Sequence, residues 1–505
     1  MDKSEWVASL TESVALTPLD YTAPQGYIPI IFGFNFDGSP LDAAAYLKVR
    51  LARTLAKWPC LGGQFIAGGS GVSPKLIYSS TGPTSLEAFP NEVFDFRGLQ
   101  TDQLRWDEFD QLVREHGPAE AMDKDILCLL PEKLPGPGEG CHPVTLRVNF
   151  TKDRKGILLG LSLHHGIHDG TGVRDFLACF AGLDAPNPEA DSSYFSRFLE
   201  QKKTIDWFIG TWESREVNMN ATEDYNFNEP SQPPLVDPTA PPGIARIISI
   251  PADRIAKLHE LVLDMVKEKH GSSAFVSTAD TVSALLWVYI TRARRAHLLP
   301  HEISHFATAV DIRSKIPLLT DTPESYLGNA FLRVTTKSLA VLLAPDEHDN
   351  SPIAIARCVA YAAHLIRKAI QTLDSPSHLR HHLSIAVNTA NPPDVDAAVR
   401  RVIDRGHAGV DCSSWLALGA DLNFHIPGTE HKNGGKPVFI RRAYAPFPGA
   451  MNIMPRRGGT KGDADWEIWV ALRGDDMERL VRGLREGGGA FGRVRQDFDV
   501  MLWGD

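Results

Sequence analysis

The segment His164-His165-Gly166-Ile167-His168-Asp169-Gly170 holds the densest group of potentially reactive side chains in the chain. An unperturbed imidazole titrates near pH 6.5, so a histidine presented to substrate can act as a general base near neutrality. The spacing His-x-x-x-Asp carries nothing alone: with 18 histidines in 505 residues, about one such pair arises by chance at average aspartate usage. The doubled histidine, the trailing glycine and the flanking pattern carry more. Gly156 to Leu163 is an apolar, strand-like run, and Val173, Phe176, Leu177 and Phe180 mark one face of a helix. The histidines are therefore predicted on a strand-to-helix turn, with Gly166, Gly170 and Gly172 supplying backbone freedom. Turns at strand ends can present reactive side chains into a cleft.

Other chemistries fit the sequence less well. His164, His165 and His168 could ligate a metal, but a catalytic zinc wants a third ligand in a recognisable spacing, and no metal is expected. A Ser–His hydrolase would want G-x-S-x-G after a strand, which is not found. The glycine-rich stretch Gly487 to Gly492 lacks the Lys-Ser/Thr of a phosphate loop and is expected as a surface turn. The run His378 to His382 (HLRHH) is expected as a solvated or pairing face.

The elements that must position these residues fall into two halves. From Asn228 to Gly243 the chain reads NEPSQPPLVDPTAPPG, which excludes helix and central strand and predicts an extended connector. The division is an N-terminal domain over 1–205, a crossover linker over 206–245 and a C-terminal domain over 246–505. The linker is expected to run over the surface with few buried apolar contacts and to be nicked first by proteases. In the first half Ala44, Leu47, Leu51, Leu55 and Trp58 share one helix face that Pro59 ends. In the second, Ser277-x-x-Asp280 reads as a capping box opening a helix with Val282, Leu285, Leu286 and Tyr289, and Arg292, Arg294 and Arg295 sit at its end. Trp466, Ile468, Val470 and Leu472 alternate as a strand before an acidic helix start at Asp475 and Asp476. Strands and helices interleave in both halves, which predicts an α/β or mixed α+β class.

Composition bounds the function. Hydrophobic residues at 43% and charged residues at 23% are ordinary globular usage. Lys+Arg of 52 against Asp+Glu of 62 gives a formal charge of −10, so the chain has no global attraction for nucleic acid or anionic membrane. Cys60, Cys128, Cys141, Cys179, Cys358 and Cys412 are scattered without a C-x-x-C pair, which predicts reduced core thiols and suits the cytoplasm. The start Met1 to Trp6 lacks the pattern of a secretory signal, and the apolar run Leu339 to Ala344 is too short to span a bilayer.

Several segments, in order, resemble the BAHD acyltransferases, CoA-dependent enzymes of secondary metabolism. Leu16-Thr17-Pro18-Leu19-Asp20 resembles an early SPLD-type segment, and Cys60-Leu61-Gly62-Gly63 the P-L-A-G turn. His165-x-x-x-Asp169-Gly170 matches the catalytic H-x-x-x-D-G. Ser277-Thr278-Ala279-Asp280 through Leu286-Trp287 resembles S-T-N-D-A…L-L-W; Val310-Asp311-Ile312-Arg313 matches V-D-x-R, and Tyr326-Leu327-Gly328-Asn329-Ala330 resembles Y-F-G-N-A. The resemblance spans nearly the whole chain, and a length beyond that of typical plant members points to the fungal type. One motif departs. Where the family has D-F-G-W-G, this chain reads Asp421-Leu422-Asn423-Phe424-His425-Ile426-Pro427, followed by a polar insertion before Gly435-Lys436-Pro437 and Arg441-Arg442-Ala443.

The resemblance implies two similar-sized chloramphenicol-acetyltransferase-like domains, with mixed sheets flanked by helices and the active-site channel at their interface. It implies transfer of an acyl group from acyl-CoA to a hydroxyl or amine, with no permanently bound cofactor and no covalent acyl-enzyme. His165 would be the general base. Asp169 would point away from substrate and pair with Arg313 across the two halves. CoA would enter near Ser277 and Thr278. The missing tryptophan removes a donor to the tetrahedral oxyanion, and Asn423 is the candidate substitute. The apolar segment Tyr27 to Phe34 resembles an acceptor-lining strand, with Ile28, Ile30 and Phe32 as candidate lining residues and a hydrophobic specialised metabolite as acceptor. A monomer is expected. Two alternatives stay open: a free-standing condensation-like enzyme using a carrier-protein thioester, and a non-acyl-transfer or non-catalytic member of the same fold.

Overall fold

Two apolar nine-residue segments, Tyr27–Asn35 and Gly156–His164, pair antiparallel along their whole lengths, with Tyr27 opposite His164 and Asn35 opposite Gly156. Every residue of Gly156–His164 is buried, which is why its sequence is a continuous apolar run rather than an alternation. Midway along it, a Cβ on Gly160 would stand 2.0 Å from the Leu127 carbonyl oxygen, so only glycine fits there. The computed structural model describes residues 10–69, 73–79, 92–98, 108–182, 188–210, 224–227, 242–316, 319, 326–344, 351–388, 393–403, 407–486 and 499–501. Among the described residues these two strands form the centre of a five-stranded mixed sheet ordered Phe439–Arg442, Tyr27–Asn35, Gly156–His164, Val144–Phe150, Phe94–Gly98. The outer pair Phe94–Gly98 and Val144–Phe150 runs parallel; the other neighbours are antiparallel.

The second half builds a seven-stranded mixed sheet ordered Phe331–Leu339, Ile303–Asp311, Val410–Ser414, Ala450–Ile453, Trp466–Arg473, Gly243–Ile250, Asp499–Met501. Helix Thr278–Ala293 is buried on all sides and packs against Ala252–His270 and Pro352–Thr372, the pattern of a central core helix. A smaller four-stranded sheet joins Glu12–Ala15, Lys75–Tyr78, Gln64–Ile66 and Gly140–Cys141. The class is mixed α/β. Helix Pro40–Lys57 buries Ala44, Leu47, Leu51 and Leu55, and Trp58 closes it before Pro59. Strand Trp466–Arg473 and the acidic-started helix Gly474–Glu486 also lie where the pattern puts them.

The halves interlock. Strand Phe439–Arg442 comes from the second half yet completes the sheet of the first, Phe439 opposite Gly33 and Arg442 opposite Ile30. One hydrophobic core joins Leu16, Ile30 and Phe176 to Ile312, Tyr326, Phe424 and Ile440. The expected linker 206–245 opens inside a helix, Pro188–Gly210, and closes inside a strand, Gly243–Ile250. Of its middle, residues 224–227 are docked rather than loose. Asp224 and Tyr225 are buried, and the Asn226 amide donates to the Ala398 carbonyl. The expectation of few buried contacts fails there because Tyr225 fills an apolar cluster with Ile385, Ala398, Val399 and Ile403. The proline run 228–241, the glycine stretch 487–492 and the start 1–6 lie outside the described residues. All six cysteines are free and buried, and burial pushes the Cys128 and Cys412 thiols up to about 12. Among the described residues no helix is long and apolar enough to cross a membrane.

Candidate active site

His164 is the last residue of its strand, and the next helix, Gly170–Ala181, begins one residue after Asp169. Asp169 is the N-cap, its Oδ1 accepting from the Gly172 amide at 3.0 Å. The turn is therefore His165–His168, tighter than the glycines suggested. None of Gly166, Gly170 and Gly172 has a positive φ, so backbone freedom is not their role. At Gly172 the reason is space: a Cβ there would stand 2.0 Å from the Leu327 carbonyl oxygen. The helix start is pressed against the segment Tyr326–Ala330.

Burial sorts the three histidines. His164 is buried, stacked on Phe65 at 4.1 Å between ring centroids and edge-on to Tyr27 at 5.2 Å. Burial, with the neighbouring histidines, lowers its pKa to about 3. His168 is also buried, and burial holds its pKa down at about 4 despite a hydrogen bond to the Leu327 carbonyl. That carbonyl can only accept, so His168 Nδ1 is the donor at 3.3 Å. Both rings stay neutral across the physiological range. His165 alone is part-exposed, its ring 5.7 Å from that of Phe331. Its backbone is held from both sides: its amide donates to the Gly26 carbonyl at 2.6 Å, and its carbonyl accepts from Asn329 Nδ2 at 2.9 Å.

Asp169 and Arg313, 144 residues apart, meet in a buried bidentate pair, Nη1 to Oδ2 at 2.8 Å and Nη2 to Oδ1 at 2.9 Å. The Ala330 amide donates to Asp169 Oδ2 at 2.9 Å. The guanidinium also donates to the carbonyls of Tyr326 and Gly328. Burial works against the charge of Arg313, but the Asp169 carboxylate and then Asp311 outweigh it and hold its pKa above the ordinary range. Asn329 extends the knot: its amide N–H and its Nδ2 both donate to Asp20 Oδ1. Asp20 closes a capping box with Thr17, and burial pushes its pKa up to about 6 despite these hydrogen bonds. Four segments of resemblance (Leu16–Asp20, His165–Gly170, Val310–Arg313 and Tyr326–Ala330) thus converge in one hydrogen-bonded knot behind His165. Sequence reasoning gave Asp20 and Asn329 no role, although both stand in quoted motifs.

The remaining residues lie elsewhere. Ser277 caps helix Thr278–Ala293, its Oγ accepting from the Asp280 amide at 3.1 Å and from Arg367 Nη2 at 3.0 Å. Asp280 in turn takes the Ser277 amide and the Arg367 guanidinium. Thr278 is the first helical residue and part-exposed. Ile30 and Phe32 have no exposed surface, and Ile28 is 9% exposed. These side chains stand in the shared core, where Phe32 meets Phe424 at 5.4 Å, so they present no open wall to an acceptor. Asn423 Oδ1 accepts from the His425 amide at 2.8 Å, and Gly435, at φ 71°, leaves room for it: a Cβ there would fall 2.1 Å away. Asn423 thereby shapes its own loop, and only its Nδ2 is left to offer an oxyanion. Phe424, where the family motif is altered, is a core anchor among Phe32, Phe34 and Phe180. Among the described residues one His/Asp group could hold a metal ion, Asp224 with His378 and His382. It does not include the histidine turn. His382 is fully buried and meets His378 and Asp224, so the HLRHH run is a pairing face rather than a solvated one.

Known proteins share this architecture and sequence. The model of the Transferase family matches residues 123–485. The O-acetyltransferase ptmV of Penicillium ochrochloron is 29% identical over 380 residues, 66% of this chain and 69% of that protein. The BAHD acyltransferase DCR of Arabidopsis thaliana is 23% identical over 351 residues, 68% of this chain and 62% of that protein. Trichothecene 3-O-acetyltransferase TRI101 of Fusarium sporotrichioides is 26% identical over 375 residues, covering 72% of each. The solved structure of that enzyme complexed with coenzyme A and T-2 superposes with a TM-score of 0.70 at 20% identity, covering 93% of this chain and 97% of that one. With its fold, its ordered motifs and the match over more than half its length, this chain belongs to the Transferase family and is an acyltransferase of the BAHD type.

Proposed function

We propose that this enzyme moves an acyl group from acyl-CoA to a hydroxyl or amine of a hydrophobic specialised metabolite, with His165 as the general base. The observation that carries the assignment is the sorting of the histidines. His164 and His168 are buried and held neutral, whereas His165 is part-exposed with its backbone held from both halves of the chain. The imidazole takes the proton of the acceptor O–H or N–H as the heteroatom attacks the thioester carbonyl. The tetrahedral intermediate then expels CoA thiolate by C–S cleavage, and the thiolate recovers the proton from the imidazolium. A positioned base of this kind contributes about 10²–10⁴-fold.

The CoA donor is supported by the coenzyme A named in the structure of the Fusarium enzyme, and the hydrophobic acceptor by the T-2 in the same complex. Among the relatives is also the communesin N16 acyltransferase cnsK of Penicillium expansum, 24% identical over 485 residues, which keeps an amine acceptor within the assignment. Asp169 does not contact substrate in this scheme. Its carboxylate is spent on Arg313, Ala330 and Gly172, and it positions the turn. CoA is proposed to enter near Ser277 and Thr278, at the start of helix Thr278–Ala293. A two-domain division with the reaction at the junction, and a monomeric cytoplasmic enzyme, complete the proposal.

The test is thiol release from a panel of acyl-CoAs in the presence of candidate hydrophobic alcohols and amines. Acceptor-dependent release that disappears in His165→Ala supports the assignment. Release of equal rate from His165→Ala, with the true acceptor saturating, overturns the role of His165.

A further inference from the structure

We propose that Asp224, His378 and His382 form a binding site for a divalent transition metal, zinc in the first instance, which fastens the chain between the two halves to the second one. Helix Pro376–Asn388 sets His378 and His382 one turn apart on one side. Their Nε2 atoms lie 2.9 Å apart, and Asp224 Oδ2 lies 3.3 Å from His382 Nε2 and 3.9 Å from His378 Nε2. Tetrahedral zinc with ligand distances of about 2.0–2.1 Å separates its ligand atoms by about 3.3 Å, and the three separations straddle that value. Two imidazole nitrogens facing each other this closely need a proton or a cation between them, because two lone pairs repel.

The surroundings set each ligand atom for a metal. Tyr225 Oη stands 2.8 Å from His382 Nδ1 and can accept its proton, which leaves the His382 Nε2 lone pair facing the other two groups. The other oxygen of Asp224 is fixed by the Thr335 amide and hydroxyl, both at 2.7 Å, which turns Oδ2 toward the histidines. The His382 side chain has no exposure, that of Asp224 has 11% and that of His378 28%, so the open fourth position lies on the His378 side, where water can reach it. Imidazole and carboxylate suit zinc and its neighbours rather than calcium or magnesium. The ion would tie residues 224–227, helix Pro376–Asn388 and strand Phe331–Leu339 together, at a place where the chain on either side is rich in proline and polar residues. It takes no part in acyl transfer.

The experiment uses the full-length protein, stripped with a chelator and reloaded with Zn²⁺ or Co²⁺. Wild type should retain about one ion per chain, show the visible absorption of four-coordinate Co²⁺ and melt a few degrees higher with metal. His378→Ala, chosen because that side chain is part-exposed, should bind at least ~10-fold more weakly and lose the melting shift. Asp224→Asn supplies a second reading if the first variant folds poorly. Equal metal retention by wild type and His378→Ala overturns the site. So does a wild-type melting temperature that zinc leaves unchanged; either result makes the cluster a proton-sharing histidine pair.

Discussion

The chain carries two groups of three histidines, His164, His165 and His168 on the turn and His378, His381 and His382 on a helix, and the structure treats them in opposite ways. On the turn the nearby carboxylate, Asp169, accepts from Arg313, Ala330 and Gly172. On the helix the carboxylate, Asp224, faces two rings that converge on it. The first arrangement silences two imidazoles by burial and leaves one part-exposed; the second gathers two into a shared site. Proximity of histidines in sequence says little about their surroundings: one group is sorted by burial, the other gathered around a carboxylate.

The strongest break in this comparison comes from the turn. His165→Ala should lower acyl transfer by about 10²–10⁴-fold or more, with unchanged circular dichroism and melting temperature. His164→Phe and His168→Gln should keep measurable turnover, because neither ring is exposed to substrate. Steady-state rates of the three purified variants check this. Equal losses in all three would erase the distinction that burial draws between them.

Next in size is the pair that engages the Asp169 carboxylate. Removing either Asp169 or Arg313 leaves a buried charge alone, which costs about 3–5 kcal/mol. Arg313→Ala and Asp169→Ala should each unfold at distinctly lower urea concentration, by more than they change the KM for acceptor. Because the two side chains contact one another, the double variant should cost less than the sum of the singles. Additive losses in the urea midpoints would show that the two charges act independently.

How much of this was legible in the sequence depends on the range of the contact. The helix Pro40–Lys57 and the Ser277–Asp280 capping box were readable because they rest on residues three or four apart. The meeting of Asp169 with Arg313 could be named only through resemblance, since no periodicity connects residues 144 apart. Local pattern also misled. Three glycines around the histidines suggested a freely bending turn, whereas Gly172 is there to admit the Leu327 carbonyl. The apolar run Tyr27 to Phe34 suggested a greasy wall for an acceptor, but a strand buried on both faces reads the same way, and Ile30 and Phe32 are core. The HLRHH run could be read as a solvated or a pairing face, and its partner could not be named, because Asp224 lies more than 150 residues upstream. Strand Phe439–Arg442, which crosses into the other half's sheet, left no sign in the sequence beyond its basic pattern.

A smaller effect should follow from loosening the knot without removing a charge pair. Asn329→Ala deletes the donor to the His165 carbonyl and one of the two hydrogen bonds Asn329 gives to Asp20. The loss should be about 1–3 kcal/mol of stability. Turnover should fall while the KM for acyl-CoA stays near wild type, because Asn329 holds the backbone of His165, the proposed base, and is not proposed to touch CoA. An unchanged kcat with a raised KM would place Asn329 in substrate binding instead.

The smallest effect at neutral pH concerns the silenced rings, and it sharpens the comparison by titration. The pKa values of His164 and His168 in the folded chain, about 3 and about 4, lie below the ordinary histidine value of 6.5. As pH falls through 6.5 the unfolded chain therefore takes up protons that the folded one refuses. The stability tied to these rings is full above that pH and is lost progressively as pH falls toward the folded values. Each proton of difference contributes a slope of about 1.4 kcal/mol per pH unit. Asp20 works in the opposite sense over much of the same window, because its pKa is raised to about 6: its contribution is full below the ordinary aspartate value and is lost as pH rises through 6. The wild-type profile is thus a sum of opposed slopes, and only the difference between variants isolates one ring. His164→Phe keeps an aromatic ring to stack on Phe65 and removes one titrating group. Between pH 4 and 6 its stability profile, from urea unfolding at each pH, should fall less steeply toward acid than wild type by about 1.4 kcal/mol per pH unit. Parallel profiles would mean that His164 titrates alike in the folded and unfolded chain. Burial would then not be what separates His164 from the proposed base.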